Sequence, residues 1–290
     1  MTSKFGGNTV GKTLDGLISR VEKISDTPGL DAQVLLARLL DKPRSWVLAH
    51  PEEPLIGDQF ATLEALVLRL EEGEPLPYIL GSWEFFGLEF EVTPDVLIPR
   101  PETEFLVETA IAWLRKPKCR DGELRVMDLG TGSGCIAISL AINVPGISII
   151  ATDLSSAALK VAHSNAEKMN VSNCITFIES DLFSNPNIPD RFSMIVANPP
   201  YLPTKFLHKL PVYNFEPSLA LDGGSDGLVP IRCILTEAPD RLIAGGLLLM
   251  EIEASGGPAV LSLALEAFPR ARIDLHKDLS GHDRLLEVQT

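Results

Sequence analysis

Apolar side chains recur at helical spacing through the first part of the chain. Residues 14–21 and 34–39 place their apolar positions three or four apart, which is the spacing that forms one face of an α-helix. A third segment, 60–70, repeats the pattern and ends before Gly73, a residue typical of a helix end. The pattern therefore predicts a small helical N-terminal domain over residues 1–75.

Residues 76–100 have a different character. They are rich in aromatic and β-branched residues, and Gly81 and Gly87 interrupt them. Short apolar runs separated by glycines predict a β-hairpin. We expect this hairpin to link the helical domain to the rest of the chain.

The pattern changes again over residues 101–290, where short apolar runs alternate with helical segments. The apolar runs lie at 124–129, 147–152, 174–179, 192–197, 246–252 and 284–288, and the helical segments at 102–115, 134–142, 155–169, 226–244 and 256–268. This alternation predicts an α/β fold in which helices cover both faces of a mainly parallel sheet.

The charge of the chain disfavours nucleic acid as a partner. Lys and Arg total 25 and Asp and Glu total 39 among the 290 residues, so the net charge is −14. The basic residues are scattered singly or in short pairs. An acidic surface without a basic patch repels phosphate backbones and anionic lipid. We therefore expect neither nucleic acid nor a membrane as a partner.

Two further observations argue against a metal centre and a membrane protein. The cysteines are Cys119, Cys135, Cys174 and Cys233. They contain no CxxC pair, and the five histidines form no cluster with the spacing of metal ligands. No apolar run approaches the roughly 20 residues that span a bilayer, and the first residues lack the apolar segment of a signal peptide. We expect a cytoplasmic protein without a metal site.

A glycine-rich turn follows the first predicted strand of the α/β region. Its residues are Gly130, Thr131, Gly132, Ser133 and Gly134, preceded by Asp128. Glycines at such a turn let the backbone approach a ligand, while amides at the start of the next helix face outward. A dinucleotide fingerprint would need glycine at the position of Cys135. The pattern instead resembles motif I of the S-adenosylmethionine-dependent methyltransferases; a nicotinamide or flavin enzyme and a structural turn are the alternatives.

Acidic residues at the next two strand ends fit the same cofactor. Asp153 ends the second strand and is placed to accept hydrogen bonds from ribose hydroxyls. In class I methyltransferases the acid at the position of Asp181 accepts from the adenine amino group, and its neighbour, here Leu182, packs on the ring. A turn or N-cap aspartate is the alternative. The expected cofactor-binding residues are Gly130, Thr131, Gly132, Ser133, Gly134, Asp153, Leu154, Asp181, Leu182 and Asn198.

The fourth strand ends in the tetrad Asn198, Pro199, Pro200 and Tyr201. The two prolines remove two amide donors and fix the direction of the chain, so the Pro199 carbonyl is rigidly aimed. With the Asn198 side-chain oxygen it makes a paired acceptor for a planar NH2 group, and Tyr201 supplies an aromatic wall. Holding both hydrogens orients the nitrogen lone pair for in-line methyl transfer. The tetrad predicts amino-group methylation and leaves adenine, guanine and glutamine open; a turn that only ends the strand is the alternative.

Longer motifs identify a family. They lie at 76–90, 96–104, 215–228 and 277–284. Together with the glycine turn and the tetrad, they closely resemble the bacterial peptide-chain release factor N5-glutamine methyltransferases. The resemblance implies a class I (Rossmann-like) S-adenosylmethionine-dependent methyltransferase domain over 101–290, with a seven-stranded sheet whose last strand is antiparallel. It also implies methyl transfer to the glutamine side chain of the Gly-Gly-Gln motif in release factors, modulating translation termination, with S-adenosylhomocysteine as the second product.

The resemblance assigns roles to individual residues. The catalytic residues are Asn198, Pro199, Pro200 and Tyr201. The stretch 100–103 lines the mouth of the cofactor site, with Phe85 nearby, and the alternative for Arg100 is a structural ion pair. The domain over 1–75 recognises the substrate or is only a packing cap, and we favour recognition. We expect a monomer.

Two departures from the family pattern and two rival functions complete the prediction. Residues 253–258 follow Met250, Glu251 and Ile252 where the family usually has glycine and, slightly later, glutamine, and the first eleven residues have no counterpart.

One rival is an amino-group methyltransferase acting on adenine in DNA or on an RNA base, which would need a basic recognition surface. The other is a non-catalytic cofactor-binding scaffold, which a degraded tetrad would favour.

Overall fold

The computed structural model describes residues 8–116, 124–209 and 211–290. Cys119 and the first seven residues of the chain lie outside these ranges. The chain divides into two compact units, Met1–Gly81 and Ser82–Thr290.

The first unit is helical in its described part. Its helices are α1 (Val10–Val21), α2 (Pro28–Leu40), α3 (Arg44–Ala49), α4 (Gly57–Glu71) and α5 (Leu76–Leu80). The predicted apolar faces pack together, with Leu17, Leu35 and Leu63 fully buried. Arg20 on α1 donates to Glu64 at 2.6 Å and to Glu71 at 2.7 Å, so an ion-pair network connects α1 to α4.

The predicted hairpin over 76–100 forms only in part. Its strands are β1 (Ser82–Phe85) and β2 (Leu88–Glu91), and residues Leu76–Leu80 form α5 instead. The helix has Pro77 within its first turn and ends at Gly81 in the left-handed conformation. These are ordinary helix start and stop signals, which the aromatic composition of the segment concealed. The turn at Phe86 and Gly87 has positive φ at both residues, as the right-handed twist of a two-residue hairpin requires.

The second unit contains the predicted α/β sheet. Its strands are β3 (Arg125–Leu129), β4 (Ser148–Asp153), β5 (Ile175–Glu179), β6 (Phe192–Ala197), β7 (Leu242–Glu251), β8 (Arg272–Lys277) and β9 (Asp283–Gln289). Among the described residues these seven form one sheet in the order β5-β4-β3-β6-β7-β9-β8. The pairs among β3 to β7 are parallel, and β9 is antiparallel to both β7 and β8. The predicted α/β class and the seven-stranded sheet with an antiparallel last strand are confirmed.

Helices cover both faces of the sheet. They are α6 (Pro101–Leu114), α7 (Cys135–Asn143), α8 (Ser156–Lys168), α9 (Thr204–Leu207), α10 (Val229–Arg241) and α11 (Gly257–Ala267). Successive strand residues face opposite sides, so Val126 belongs to the core under α6, α7 and α8, while Met127 belongs to the core under α10 and α11. Both side chains are fully buried, which explains why the central strands appear as unbroken apolar runs.

Two elements differ from the pattern-based expectation. The six apolar runs did not include β8, because its alternating charged residues leave it half-exposed at the edge of the sheet. The helix expected over 226–244 ends at Arg241, and β7 starts at Leu242 instead of residue 246. Leu242 pairs with Phe192 across an irregularity in the β6–β7 register, so the strand extends toward its N-terminus through residues 242–244, which the pattern placed at the end of the helix.

In the described part of the chain, none of the helices combines the length and the apolar character needed to cross a bilayer.

Candidate functional site

The carboxyl ends of β3 to β6 surround one cavity of ≈ 360 Å³. Of the residues expected to bind a cofactor or substrate, its walls contain Gly130, Thr131, Gly132, Ser133, Asp153, Leu154, Asp181, Leu182, Asn198 and Pro200. Ligands of open α/β folds bind at this edge because the loops after the parallel strands meet there. The fold therefore brings residues from four separate strand ends to one site.

The three glycines of the turn have two different structural roles. Gly130, Gly132 and Gly134 all have positive φ, at 70°, 56° and 82°. A Cβ added at Gly130 or Gly132 would meet no protein atom within 4 Å, so these two leave open space at the cavity wall. A Cβ at Gly134 would lie 3.2 Å from the Ala162 Cβ on α8. Gly134 is therefore required for helix packing, and it does not line the cavity.

Asp128, at the end of β3, stabilises the glycine turn by accepting a hydrogen bond from Thr131. The Thr131 hydroxyl donates to its carboxylate at 2.6 Å, and the Thr131 amide donates to the Thr152 carbonyl at 2.8 Å. Asp128 is completely buried, and this desolvation raises its pKa to about 7 despite the Thr131 hydrogen bond. The acid that precedes the glycines thus connects the turn to the sheet and does not line the cavity.

Asp153 is fixed by backbone amides on both of its carboxylate oxygens. The Gly132 amide donates to Oδ2 and the Ser155 amide to Oδ1, each at 2.9 Å. Burial raises the pKa of Asp153, while the amide hydrogen bonds act in the opposite direction. Each carboxylate oxygen has a further lone pair, so Asp153 can still accept from a ligand in the cavity.

The third strand end adopts a backbone conformation that is uncommon for its sequence. Leu182 has φ of +49°, in the left-handed region that costs a non-glycine residue about 1 kcal/mol or more. Ser180 stabilises this turn, because its hydroxyl donates to the Leu182 carbonyl at 2.9 Å and accepts from the Asn185 amide at 3.1 Å. The turn leaves the exposed Asp181 and the half-buried Leu182 side by side in the cavity wall.

Sequence reasoning missed Asn165, which connects the glycine turn to the hairpin. Its side-chain amide donates to the Ser133 carbonyl at 2.9 Å and to the Glu91 carbonyl at 3.0 Å, and its oxygen accepts from the Glu91 amide at 2.8 Å. Asn165 is fully buried on α8. An unusual polar residue on the apolar face of α8 was the only signal in the sequence, and it did not identify the partners.

Asn198 presents an unpaired side-chain oxygen. Its Nδ2 donates to the Thr103 hydroxyl at 3.1 Å, which occupies the nitrogen side of the amide. Within 8–116, 124–209 and 211–290, no residue donates a hydrogen bond to the Asn198 Oδ1 or to the Pro199 carbonyl. Both oxygens that the tetrad was expected to offer therefore keep their acceptor capacity.

Tyr201 lies beside the main cavity and does not line it. It lines a neighbouring cavity together with Pro203, Phe206 and Glu253. Burial raises the pKa of Tyr201 to about 12, so its phenol stays protonated at neutral pH. The four tetrad residues therefore do not all line one cavity. Asn198 and Pro200 lie in the wall of the main cavity, Pro199 is buried, and Tyr201 lines the neighbouring cavity.

The chain that leaves the tetrad is held by the glycine-rich segment of the 215–228 motif. The Leu202 amide donates to the Leu221 carbonyl at 3.1 Å, and the Gly223 amide donates to the Leu202 carbonyl at 2.8 Å. A Cβ at Gly223 would lie 2.8 Å from the Tyr201 Cα, and one at Gly227 would overlap the Tyr201 carbonyl oxygen. These glycines let two backbones touch, which fixes the position of the tetrad.

Replacement of Gly227 by Ala is expected to destabilise the protein more than a matched replacement of Gly245. Both residues have positive φ, at 81° and 76°, but a Cβ at Gly245 would meet open space. We expect Gly245→Ala to cost about 1 kcal/mol from the left-handed backbone and Gly227→Ala about 1–3 kcal/mol more from the overlap. Urea denaturation of both variants measures the difference. Equal losses would show that the contact with Tyr201 relaxes without cost.

Thr103 and Glu251 form a buried polar group next to Asn198. Thr103, in the 100–103 stretch expected at the mouth of the cofactor site, does line the cavity, whereas sequence reasoning gave Glu251 no role. The Thr103 hydroxyl donates to the Glu251 carboxylate at 2.6 Å, and both residues are only 2% exposed. Desolvation raises the pKa of Glu251 to about 7. The hydrogen bonds thus run from Asn198 through Thr103 to Glu251.

Arg100 satisfies both interpretations made from the sequence. Its guanidinium donates to the Glu216 carboxylate oxygens at 2.7 and 2.6 Å, and it also lines the cavity. Glu216 is 3% exposed, and desolvation raises its pKa against the opposing effect of Arg100. Phe85, expected nearby, does not line the cavity; it is fully buried and contacts Phe90 edge to face.

The departure at 253–258 produces a capped turn. Glu253 precedes a 3-10 turn at Ala254–Gly256, and its carboxylate accepts from the Ser255 amide at 2.8 Å and from the Ser255 hydroxyl. Helix α11 starts directly afterwards at Gly257, where a Cβ would overlap the Asp283 carboxylate. Among the described residues, no group of three or more His, Cys, Asp or Glu side chains is arranged to hold a metal ion.

Comparison with known proteins agrees with both units of the chain. Residues 13–81 match the model of the PrmC N-terminal domain, and residues 104–210 match the model of the methyltransferase small domain. Two solved structures share the fold. The hMettl16 catalytic domain in complex with MAT2A 3′UTR hairpin 6 has a TM-score of 0.54 at 17% identity, covering 79% of this chain and 81% of that one. A methyltransferase from Pyrococcus furiosus has a TM-score of 0.52 at 18% identity, covering 78% and 96%.

Sequence relatives are much more similar. Release factor glutamine methyltransferase of Coxiella burnetii is 44% identical over 91% of this chain and 92% of its own length. The enzymes of that name from Vibrio cholerae and Bordetella pertussis are 42% and 39% identical, covering 90% and 89% of this chain and 89% and 93% of their own lengths. With this identity along nearly the whole length, and with a methyltransferase sheet that carries an intact tetrad, the chain belongs to the release factor glutamine methyltransferase family.

Proposed function

We propose that this protein transfers a methyl group from S-adenosylmethionine to the side-chain amide nitrogen, N5, of the glutamine in the Gly-Gly-Gln motif of peptide-chain release factors. S-adenosylhomocysteine is the second product. One observation carries the proposal: the free Oδ1 of Asn198 belongs to a residue in the wall of the same cavity as the glycine turn and Asp153. Family membership supports the choice of glutamine over the nucleic-acid bases.

The cavity fits the cofactor. Its volume is within the range of about 300–1,000 Å³ that is typical of small-molecule sites, and Gly130 and Gly132 leave room where side chains would fill it. Asp153 would accept from the ribose hydroxyls, Asp181 and Leu182 would hold the adenine, and Thr131, Ser133 and Leu154 would complete the binding surface. When bound, S-adenosylmethionine supplies an electrophilic methyl group on a sulfonium.

The tetrad would orient the substrate amide. An amide nitrogen is a poor nucleophile because its lone pair is delocalised into the carbonyl. Asn198 Oδ1 and the Pro199 carbonyl would each accept one hydrogen of the NH2 group, which directs the lone pair toward the methyl group. The same two oxygens stabilise the positive charge that develops on nitrogen, and one N–H proton leaves after the N–C bond forms. Pro200 would shape the slot from the wall of the same cavity, and Tyr201 would border it from the neighbouring cavity.

We further propose that the substrate is a protein with basic surface, bound by a monomer in the cytoplasm. The net charge of −14 favours such a partner and disfavours nucleic acid. The helical unit up to Gly81 would take part in recognising the release factor, which is supported by its match to the N-terminal domain model of the family.

Methyl transfer from tritiated S-adenosylmethionine tests the proposal directly. The full chain is incubated separately with unmethylated release factor, with a release factor whose Gly-Gly-Gln glutamine is replaced by alanine, and with DNA and RNA. We expect label on the unmodified release factor only. Label on nucleic acid alone would retain the fold and the chemistry but overturn the substrate, and no label on any acceptor would favour the scaffold.

A further inference from the structure

The hydrogen bonds behind Asn198 have a direction that the ionisation of Glu251 determines. An ionised carboxylate has no hydrogen to donate, so the Thr103 hydroxyl must donate to Glu251. The Thr103 oxygen then faces Asn198 as an acceptor only. The amide of Asn198 must therefore present Nδ2 to Thr103 and leave Oδ1 on its other side.

Protonation of Glu251 removes this constraint. A neutral Glu251 can donate to the Thr103 oxygen, which frees the Thr103 hydroxyl to donate to the Asn198 oxygen. The amide would then rotate by half a turn and present its NH2 group in place of Oδ1. An NH2 donor cannot accept the hydrogens of a substrate amide, and the two donors repel each other.

We infer that Thr103 and Glu251 are positioning residues that fix the rotamer of the Asn198 amide, so that its oxygen and not its nitrogen faces the substrate nitrogen. The inference rests on the proposed function, because it assigns the orientation of the residue that binds the glutamine amide. Neither residue touches the substrate nitrogen in this scheme, and both act through Asn198.

The groups around Glu251 place its pKa, and with it the protonation that would release the Asn198 amide, close to neutral pH. Burial raises its pKa to about 7, and the hydrogen bonds from Thr103 and Tyr201 oppose the effect. Arg284 on β9 also lowers the pKa, whereas Glu102 on α6 raises it. Cys135 on α7 is close enough for the Glu251 charge to affect its pKa. Burial raises the pKa of this thiol to about 12, so Cys135 stays neutral and adds no charge near Glu251. Activity is therefore highest above pH 7 and falls as the pH drops through it.

Three threonine variants test the positioning role. Thr103→Val keeps the shape and removes the hydroxyl, Thr103→Ser keeps the hydroxyl, and Thr109→Val removes the hydroxyl that bonds the Phe105 carbonyl on the same helix. We expect Thr103→Val to lower kcat for release factor by about 10-fold, the equivalent of one hydrogen bond, with the Kd for S-adenosylmethionine changed by less than about 3-fold. Thr103→Ser recovers most of the activity, and Thr109→Val retains it.

The cofactor titration reports folding, so a variant that binds S-adenosylmethionine normally is a folded protein. If Thr103→Val binds cofactor and transfers methyl as fast as the parent, the inference is wrong while the proposed function stands. If the parent itself does not methylate release factor, the proposed function fails first, and the two outcomes are distinguished in one experiment.

A pH profile of Glu251→Gln provides the second test. Glutamine offers Thr103 an acceptor oxygen or a donor NH2 group, as protonated Glu251 does, but it does not titrate, so the activity of the variant should lie near the acid plateau of the parent at every pH. At saturating cofactor we expect the activity of the parent to fall below pH 7 and to level off about 10-fold lower, as in Thr103→Val, and we expect the variant to show no such acid limb. Asp128 also has a pKa raised to about 7 and remains in both proteins. An unchanged acid limb in Glu251→Gln would assign the titration to another group and overturn the switch.

Discussion

Asn198→Ala is expected to abolish methyl transfer while cofactor affinity stays nearly intact. The variant loses the free Oδ1 acceptor and leaves the Thr103 hydroxyl without its donor. Removal of one preorganised polar group that stabilises developing charge typically lowers kcat by about 10²–10³-fold. Single-turnover transfer to release factor measures kcat, and calorimetric titration measures the Kd for S-adenosylmethionine.

Asn187→Ala is the matched control, because Asn187 is exposed and lies on a loop of the same unit. It should transfer methyl at the parent rate. A loss of cofactor binding in Asn198→Ala that equals its loss of activity would show that Asn198 belongs to the cofactor site rather than the substrate site.

Asp153→Ala is expected to weaken cofactor binding while leaving kcat at saturating cofactor nearly unchanged, which is the opposite of the result expected for Asn198→Ala. The side chain carries two backbone-anchored oxygens that would accept from the ribose hydroxyls. Each hydrogen bond to a charged group contributes about 1.5–3 kcal/mol, so the Kd for cofactor should rise about 100-fold or more. At saturating cofactor, kcat for release factor should recover to within a few-fold of the parent. Asp240→Ala, an exposed carboxylate on α10, is the control.

The same residue gives cofactor affinity a dependence on pH. Because burial raises the pKa of Asp153, it becomes protonated at a higher pH than an ordinary aspartate. A protonated carboxyl loses acceptor capacity, so affinity should fall as the pH drops through that raised pKa, and Asp153→Ala should not show this fall. An acid-independent Kd in the parent would contradict the assignment.

Most of the site was predictable because it follows from short-range patterns. The glycine spacing, the acids at strand ends and the tetrad each lie within a few residues, and the parallel sheet brings them to one edge. The residues that were missed act across long distances in the sequence. Thr103 and Glu251 are 148 positions apart, and Asn165 contacts Glu91 at a separation of 74.

The fold shows the same limit in two elements. Strand β8 has no apolar run because it lies at the edge of the sheet, where charge on the exposed positions is tolerated. Helix α5 is only five residues long, so its capping residues define it while its composition resembles a strand. A periodic pattern identifies elements that are both buried and long; α5 is buried but short, and β8 is half-exposed.

The attachment of the hairpin to the glycine turn has a consequence for exchanging parts between relatives. The Asn165 side chain hydrogen-bonds only to the backbone N–H and C=O of Glu91. The contact therefore depends on the backbone position of β2 and not on the side chains of that strand. A hairpin of different sequence should therefore support the turn equally well, provided that its length and its register are preserved. An insertion of one residue in β2 would displace both backbone groups of Glu91 and leave one N–H and the side-chain oxygen of Asn165 to find new partners.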